Sequence, residues 1–351
     1  MKLLKKILVW GLLSIILQSA AFFYLDKFYF IDEGNIKATK IDLDEKTTVK
    51  DVKIPISDSA KNISISYDGK YVACIDNNVL TVYDETNGGK KELKLPDDTS
   101  ISYYKWMPDR NLILVAQKTV SKNGSDVLRF SSYDAKKGEN IDIADTENKK
   151  VEITLPDKKS EVNDIEMSML NNIYYVKVSQ KGGRSNIYRI NIMAEMNKKS
   201  NIYMVGDMVL LQHEDKLIYE DLTAKKIKIS GSSSSLSIKG VSKITLLSVD
   251  ADDNVYVGST DKDDKITKIY YGSIEKGTSQ WESVELTTPT DKDDIFVARD
   301  GNIFINDNLQ GKVMNIKTSK ETAYDGEFVQ MCKSAILTIS DSKLSRTLIS
   351  K

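Results

Sequence analysis

Residues 62–96 read NISISYDGKYVACIDNNVLTVYDETNGGKKELKLP, and this stretch decides the fold. Four short runs of alternating apolar and polar residues lie within it: Asn62–Ser66, Lys70–Ile75, Val79–Tyr83 and Glu92–Leu95. Turn-forming residues separate them at Asp68-Gly69, Asn77-Asn78 and Asn87-Gly88-Gly89. A period of two puts one face of each run in a core and the other in a wetter environment, and Asp-Gly between two runs is a strong hairpin signal. Four antiparallel strands in about 35 residues make a unit of the size that β-propellers repeat.

The pattern recurs toward the C-terminus. Inner hairpins are legible in YYKWMPDRNLILVAQK (103–118), DIEMSMLNNIYYVKVSQ (164–180), IYMVGDMVLLQHEDKLIYEDL (202–222), ITLLSVDADDNVYVGST (244–260), DIFVARDGNIFIND (294–307) and GEFVQMCKSAILTISD (326–341). Their turns fall at Gly69, Arg110, Asn172, Asp207, Asp253, Gly301 and Lys333, on average 44 residues apart, a spacing that suits propeller repeats. The sequence therefore predicts an all-β propeller of about seven four-stranded blades. Six or eight are the alternatives, eight if the N-terminal segment and the C-terminal strands build separate blades.

Upstream, GNIKATKIDLDEKTTVKDVKIP (34–55) reads as the last two strands of a blade that lacks a beginning. Such a fragment is expected to close the ring with the C-terminal strands and so protect edge strands from unwanted pairing. Runs ending in proline at Pro55, Pro96 and Pro156 suit outermost strands, where a missing N–H costs no ladder bond.

In ISYDGKYVA (65–73) and YKWMPDRNLILVA (104–116) the chain resembles the WD40-like repeats of the TolB and dipeptidyl-peptidase IV N-terminal propeller families. DADDNVYV (250–257) and ARDGNIFI (298–305) are similar to inner hairpins of related propellers. The resemblance implies the fold. Those families include periplasmic assembly factors, peptidase-associated domains and binding proteins. No α/β-hydrolase segment follows the last unit, so peptidase activity is not expected to carry over.

Lys2, Lys5 and Lys6 precede Ile7–Leu25, a run without a charge. At 1.5 Å per residue this run nearly crosses a hydrocarbon core of roughly 30 Å. Trp10 stands near one end, and Phe22, Phe23, Tyr24, Phe28, Tyr29 and Phe30 crowd the other, as in an aromatic belt. The lysines predict a cytoplasmic N-terminus. Residues 1–26 are thus expected to be a cytoplasmic stub and single-pass signal anchor in the cell membrane, and residues 27–351 an extracytoplasmic propeller. Cleavage as a signal peptide near Ser19-Ala20-Ala21 is the rival reading.

The balance of 50 basic and 51 acidic residues gives a net charge of -1, which argues against nucleic acid as a partner. A single His and two Cys leave little material for zinc sites, Cys–His nucleophiles or His-dependent triads. No phosphate loop or nucleophile elbow is present. The chain is therefore expected to be no enzyme and to need no cofactor or metal. Asp250, Asp252 and Asn254 have oxygen-ligand spacing, but Val255 stands where a calcium loop needs Gly, so a tight turn fits better. Cys74 and Cys332 fall in the first complete unit and in the last, which ring closure would make neighbours. A disulfide is conceivable there, against the simpler reading of two small buried strand residues.

Candidate binding residues are Asp58, Asp97, Asp98, Asp157, Asp293 and Asp294, all in connections from an outermost strand to the next inner strand. On one face of a propeller they would form an acidic rim able to attract a cation or a basic segment. Trp106, with Tyr103 and Tyr104, suggests an aromatic platform for a sugar or peptide, with core packing as the alternative. His213 reads as a strand or turn residue. The function expected is non-catalytic binding or scaffolding of an envelope protein, peptide or polysaccharide. The alternatives are a lactonase- or lyase-like enzyme with its site in the channel, or a ligand-sensing domain.

Overall fold

A computed structural model describes residues 2–24, 53–168, 170–191, 193–199 and 204–349. Contacts divide the chain into two units, Met1–Thr48 and Val49–Lys351. The described part of the first is one helix, Lys2–Tyr24. The expected helix is therefore present. Among the described residues, however, no helix is long and apolar enough to cross a membrane.

Among the described residues the second unit forms seven antiparallel sheets, six of them with strands in chain order from the centre outward. Blade 1 holds Lys61–Ile65, Tyr71–Asp76, Val79–Asp84 and Lys90–Leu93. Blades 2 to 6 begin with inner strands Ser100–Trp106, Glu161–Ser168, Val205–Leu210, Ile244–Val249 and Ile295–Val297. Blade 2 carries a fifth strand, since Glu139–Asp142 and Glu152–Thr154 both pair with Asp126–Asp134. In blade 7, Glu327–Met331, Ala335–Ser340 and Lys343–Leu348 take their fourth strand from Ile54–Pro55. This is the predicted closure, and the remainder of residues 34–55 upstream of Lys53 lies outside the described residues.

Seven apolar clusters show that the ring is complete, because each lies between two successive blades and the seventh joins blade 7 to blade 1. Blade 2 illustrates how sequence produces this. In its second strand, Leu112–Val120, Ile113 and Val115 face blade 1, while Leu114 and Ala116 face blade 3. Alternate side chains point to opposite faces, and each face meets a neighbour. The expectation of one buried and one wetter face thus needs correction for second strands, which are buried on both.

Inner turns link the blades at one end of the ring. Asn111 Nδ2 donates to Asp68 at 3.0 Å, Asn171 Nδ2 to Gln212 O at 3.0 Å, and the Gln212 and His213 N–H groups to Asp253 at 2.5 and 3.0 Å. Ala251 N–H donates to Arg299 O at 2.8 Å, Lys333 pairs with Asp300 at 3.2 Å, and Ser334 Oγ donates to Asp68 O at 3.3 Å. Inner strands are edges, so some of their N–H groups have no strand partner. Those of Ile65, Val162 and Leu246 are taken by Gln330 (2.9 Å), Ser102 (3.0 Å) and Glu220 (2.8 Å), in each case from the preceding blade.

One predicted turn was misplaced. Asp207 lies inside the inner strand of blade 4, and the turn falls around His213, between Val205–Leu210 and Leu217–Asp221. Asp250 forms the tight turn expected of it: its carboxylate accepts from the N–H groups of Asp252 and Asn254 at 2.9 Å and from the Tyr256 hydroxyl at 2.9 Å.

Cys74 and Cys332 are free thiols in the cluster between blades 7 and 1. Burial, with the charge of Asp76 adding to it, pushes the Cys74 thiol up to about 11, and the thiolate is the reactive form. At pH 8 a maleimide should therefore add once to the native protein, at Cys332, and twice in denaturant. Two native adducts by mass spectrometry would contradict this packing.

Candidate functional site

The channel carries a mixed-charge cluster on its inner strands. Lys105 from blade 2 reaches Asp164 at 3.3 Å and Glu166 at 2.5 Å, both from blade 3. Asp164 and Glu166 are two residues apart on one strand, so they share a face. Lys292, in the connection between blades 5 and 6, pairs with Asp207 and lies 3.5 Å from Glu220. Lys105, Asp164, Glu166 and Asp207 border a cavity of about 350 Å³ whose walls include Trp106, Met208, Leu247, Val249 and Val297, with Gln212 and Arg299 on inner turns. A second hollow, of about 650 Å³, lies among blades 6, 7 and 1 and is lined by Phe304, Val313, Leu348 and Ile349. The channel is the stronger candidate, because convergent polar groups are what orient a ligand.

Burial pushes the Glu166 carboxyl up to about 7, with Asp164 adding to it and Lys105 opposing it. Against the burial that would lower it, Glu166 and Asp164 hold the Lys105 ammonium above its ordinary value. An unfolded Glu titrates near about 4.3. Between that value and about 7 the native state keeps a proton that the unfolded state has released. Stability from this group is full below the lower value and is lost as pH rises through the upper one. Glu166→Gln removes the dependence, so thermal midpoints should shift in favour of the variant between pH 5 and pH 8. A constant difference across that range would refute the assignment.

The acidic residues singled out from sequence occupy four different blade junctions. Asp58 accepts from Ser342 Oγ at 2.9 Å, between blades 7 and 1. Asp97 and Asp98 are exposed between blades 1 and 2. Asp157, between blades 2 and 3, accepts from Lys159 N–H at 2.8 Å. Asp294 holds Asn306 and Asn308 at 3.1 and 3.0 Å, beside an exposed Asp293. Among the described residues no three acidic, His or Cys groups converge as metal ligands would. Trp106 is 8% exposed, with Nε1 donating to Ser64 O at 3.2 Å. Tyr104 is buried beside it, so both belong mainly to the core between blades 1 and 2.

Sequence reading passed over Lys105, Asp164, Glu166 and Asp207. Their signal was available: each is a charged residue set among apolar neighbours in the first strand of a unit, in YYKWM, DIEM and VGDMV.

No family model and no curated protein matches the chain. Solved structures do match. A chain in the crystal structure of a mitotic checkpoint complex aligns with TM-score 0.51 at 10% identity, covering 86% of this chain and 95% of that one. This chain is a seven-bladed β-propeller. The propeller also aligns with dipeptidyl peptidase 4 of Porphyromonas gingivalis, with TM-score 0.44 at 10% identity over 75% of this chain and 44% of that one. At such identities the likeness concerns fold alone.

Proposed function

We propose that this propeller is a non-catalytic binding protein, held at the cell membrane by its N-terminal segment and displayed on the extracytoplasmic side to capture an envelope protein, a peptide or a polysaccharide. The observation carrying the binding reading is the channel cavity, where charged groups held in place by ion pairs stand beside apolar wall residues. Among the described residues neither Asp164 nor Glu166 accepts a hydrogen bond from a hydroxyl or thiol that could serve as a nucleophile. A rigid ring presenting many loops suits recognition.

The anchoring reading is supported by the N-terminal helix. Val9, Trp10, Leu12, Leu13, Ile15, Ile16 and Leu17 are all exposed and cover more than half of the helix circumference. So broad an apolar surface needs an apolar surrounding. The uncharged run continues to Leu25, past the described end of the helix, with Lys2, Lys5 and Lys6 on the flank expected to face the cytoplasm.

Cell fractionation with protease treatment of spheroplasts tests this reading. The chain should stay with membranes through a carbonate wash, and its propeller should be cut by external protease. Release into the wash, or protection of the propeller until cells are lysed, would refute the placement.

A further inference from the structure

The end of the ring opposite the inner turns is electrically polarised. Connections between blades and turns between second and third strands build it. Around blade 7 it is acidic. Asp293 leads into blade 6, Asp325 and Glu327 lead into blade 7, Asp341 stands on the turn of blade 7, and Asp58 lies in the connection to blade 1. All of these are exposed, and none has an ion-pair partner among the described residues. Two nearby lysines are spent elsewhere, Lys292 on Asp207 of blade 4 and Lys312 on Glu321. Lys61 and Lys343 are the exposed cations that remain within the acidic arc.

Across the ring the sign reverses. With seven blades, the seam between blades 3 and 4 lies diametrically opposite blade 7. Lys158 and Lys159 lead into blade 3, Lys181 and Lys225 stand on the turns of blades 3 and 4, and Lys239 lies in the connection to blade 5. These too are exposed and without an ion-pair partner among the described residues. Of the carboxylates beside them, Asp157 and Asp221 accept from N–H groups of their own turns, and Glu161 is exposed. Apolar side chains stand in both arcs. Leu309, on the turn of blade 6, is 99% exposed. Met204 and Leu222 are exposed together on blade 4, where Leu222 N–H donates to Met204 O at 2.9 Å.

We infer that this face binds a second copy of the chain, face to face about a two-fold axis, with the acidic arc of each copy on the basic arc of the other. An axis in the plane of contact, perpendicular to the line from blade 7 to the seam of blades 3 and 4, carries each arc onto its opposite. One contact is then made twice, as two-fold symmetry requires. The same rotation brings Leu309 of one copy toward Met204 and Leu222 of the other. A partner of a single sign would match one arc and be repelled by the opposite one, whereas a second copy matches both. The inference goes beyond the binding of an envelope partner and stands whatever the channel holds.

Sedimentation of the full chain in detergent micelles tests it. At about 100 μM protein, enough to populate a complex with a Kd of about 1–100 μM, the chain should be dimeric in low salt. Association should weaken about tenfold or more between about 0.1 M and about 1 M salt, because the Debye length falls from about 10 Å to about 3 Å. Leu309→Ala should weaken it about tenfold, through the apolar contact made twice. Asp293→Lys, Asp325→Lys and Asp341→Lys together turn the acidic arc basic. Lys159→Glu, Lys181→Glu and Lys225→Glu together turn the basic arc acidic. Each triple variant alone should be monomeric, and an equimolar mixture of the two should form a one-to-one heterodimer. Thermal melting checks the fold of each variant, and recovery in the mixture requires that both be folded. A monomeric parent chain overturns the inference. So does a dimer that survives either triple substitution, which would place the contact elsewhere, or a mixture of folded variants that does not associate.

Discussion

Replacing Ile54 and Ile56 together with alanine should destabilise the propeller by about 4–8 kcal/mol, because each buried Ile→Ala change costs about 2–5. The two residues flank Pro55 in the closing segment and are 2% and 9% exposed. They pack with Val72, Cys74, Leu337 and Leu344, so they bind blade 7 to blade 1. Their costs need not add fully, since both contact one cluster. Loss of the closing strand would also uncover the edge of Lys343–Leu348, and an open edge invites association. Denaturant unfolding followed by circular dichroism measures the first effect, and light scattering the second. A loss under about 1 kcal/mol would mean that the ring does not depend on its N-terminal strand.

Tyr104→Ala should cost about 3–5 kcal/mol. Tyr104 is 5% exposed between blades 1 and 2. Its hydroxyl donates to Ala73 O at 2.7 Å, lies against Asn62 O, and accepts from Ser64 Oγ at 3.0 Å. Tyr104→Phe keeps the ring and leaves those buried partners unmatched, which costs about 1–3 kcal/mol. Comparing the two variants by denaturant titration therefore separates packing from hydrogen bonding. Were these aromatics a ligand platform instead of core, Trp106→Ala would abolish binding at little expense in stability. The burial of Trp106 leads to the opposite expectation, a loss of several kcal/mol like that of other buried aromatics.

Much of the architecture was legible because strand and turn signals are local. The run LILVA at 112–116 and Asp68-Gly69 need no distant partner to be understood. Closure by residues 54–55 could be read from an incomplete first unit. Asp207 misled because Gly-Asp ordinarily marks a turn. Gly206 is there for another reason: the Glu220 side chain crosses the space a Cβ would need, and its carboxylate accepts from Asp207 N–H at 3.2 Å and Leu246 N–H at 2.8 Å. That requirement comes from a strand paired across the sheet, and local sequence cannot express it.

The candidate site was less visible for a related reason. Asp97, Asp98 and Asp293 stood out as clustered charge, yet they are exposed turn residues at separate junctions. Lys105, Asp164 and Glu166 come from two different strands 59 or more residues apart in sequence and meet only when the blades close. Their pattern in sequence is that of ordinary alternation. Burial then pushes Glu166 up to about 7, an effect of the assembled channel that no single strand contains.

Closure of the ring creates that channel, and one cross-link tests it directly. Pro55 and Lys343 are paired across the seam and both exposed. Ile56 N–H donates to Ser342 O, which makes the adjacent pair a non-hydrogen-bonded one with Cα atoms near about 4.5 Å, within disulfide range. Pro55→Cys with Lys343→Cys, in a Cys332→Ser background where Cys74 stays buried, should oxidise within one chain to a faster-migrating species on a non-reducing gel. A chain that forms only intermolecular dimers, or no disulfide at all, would contradict a propeller closed by its own N-terminal strand.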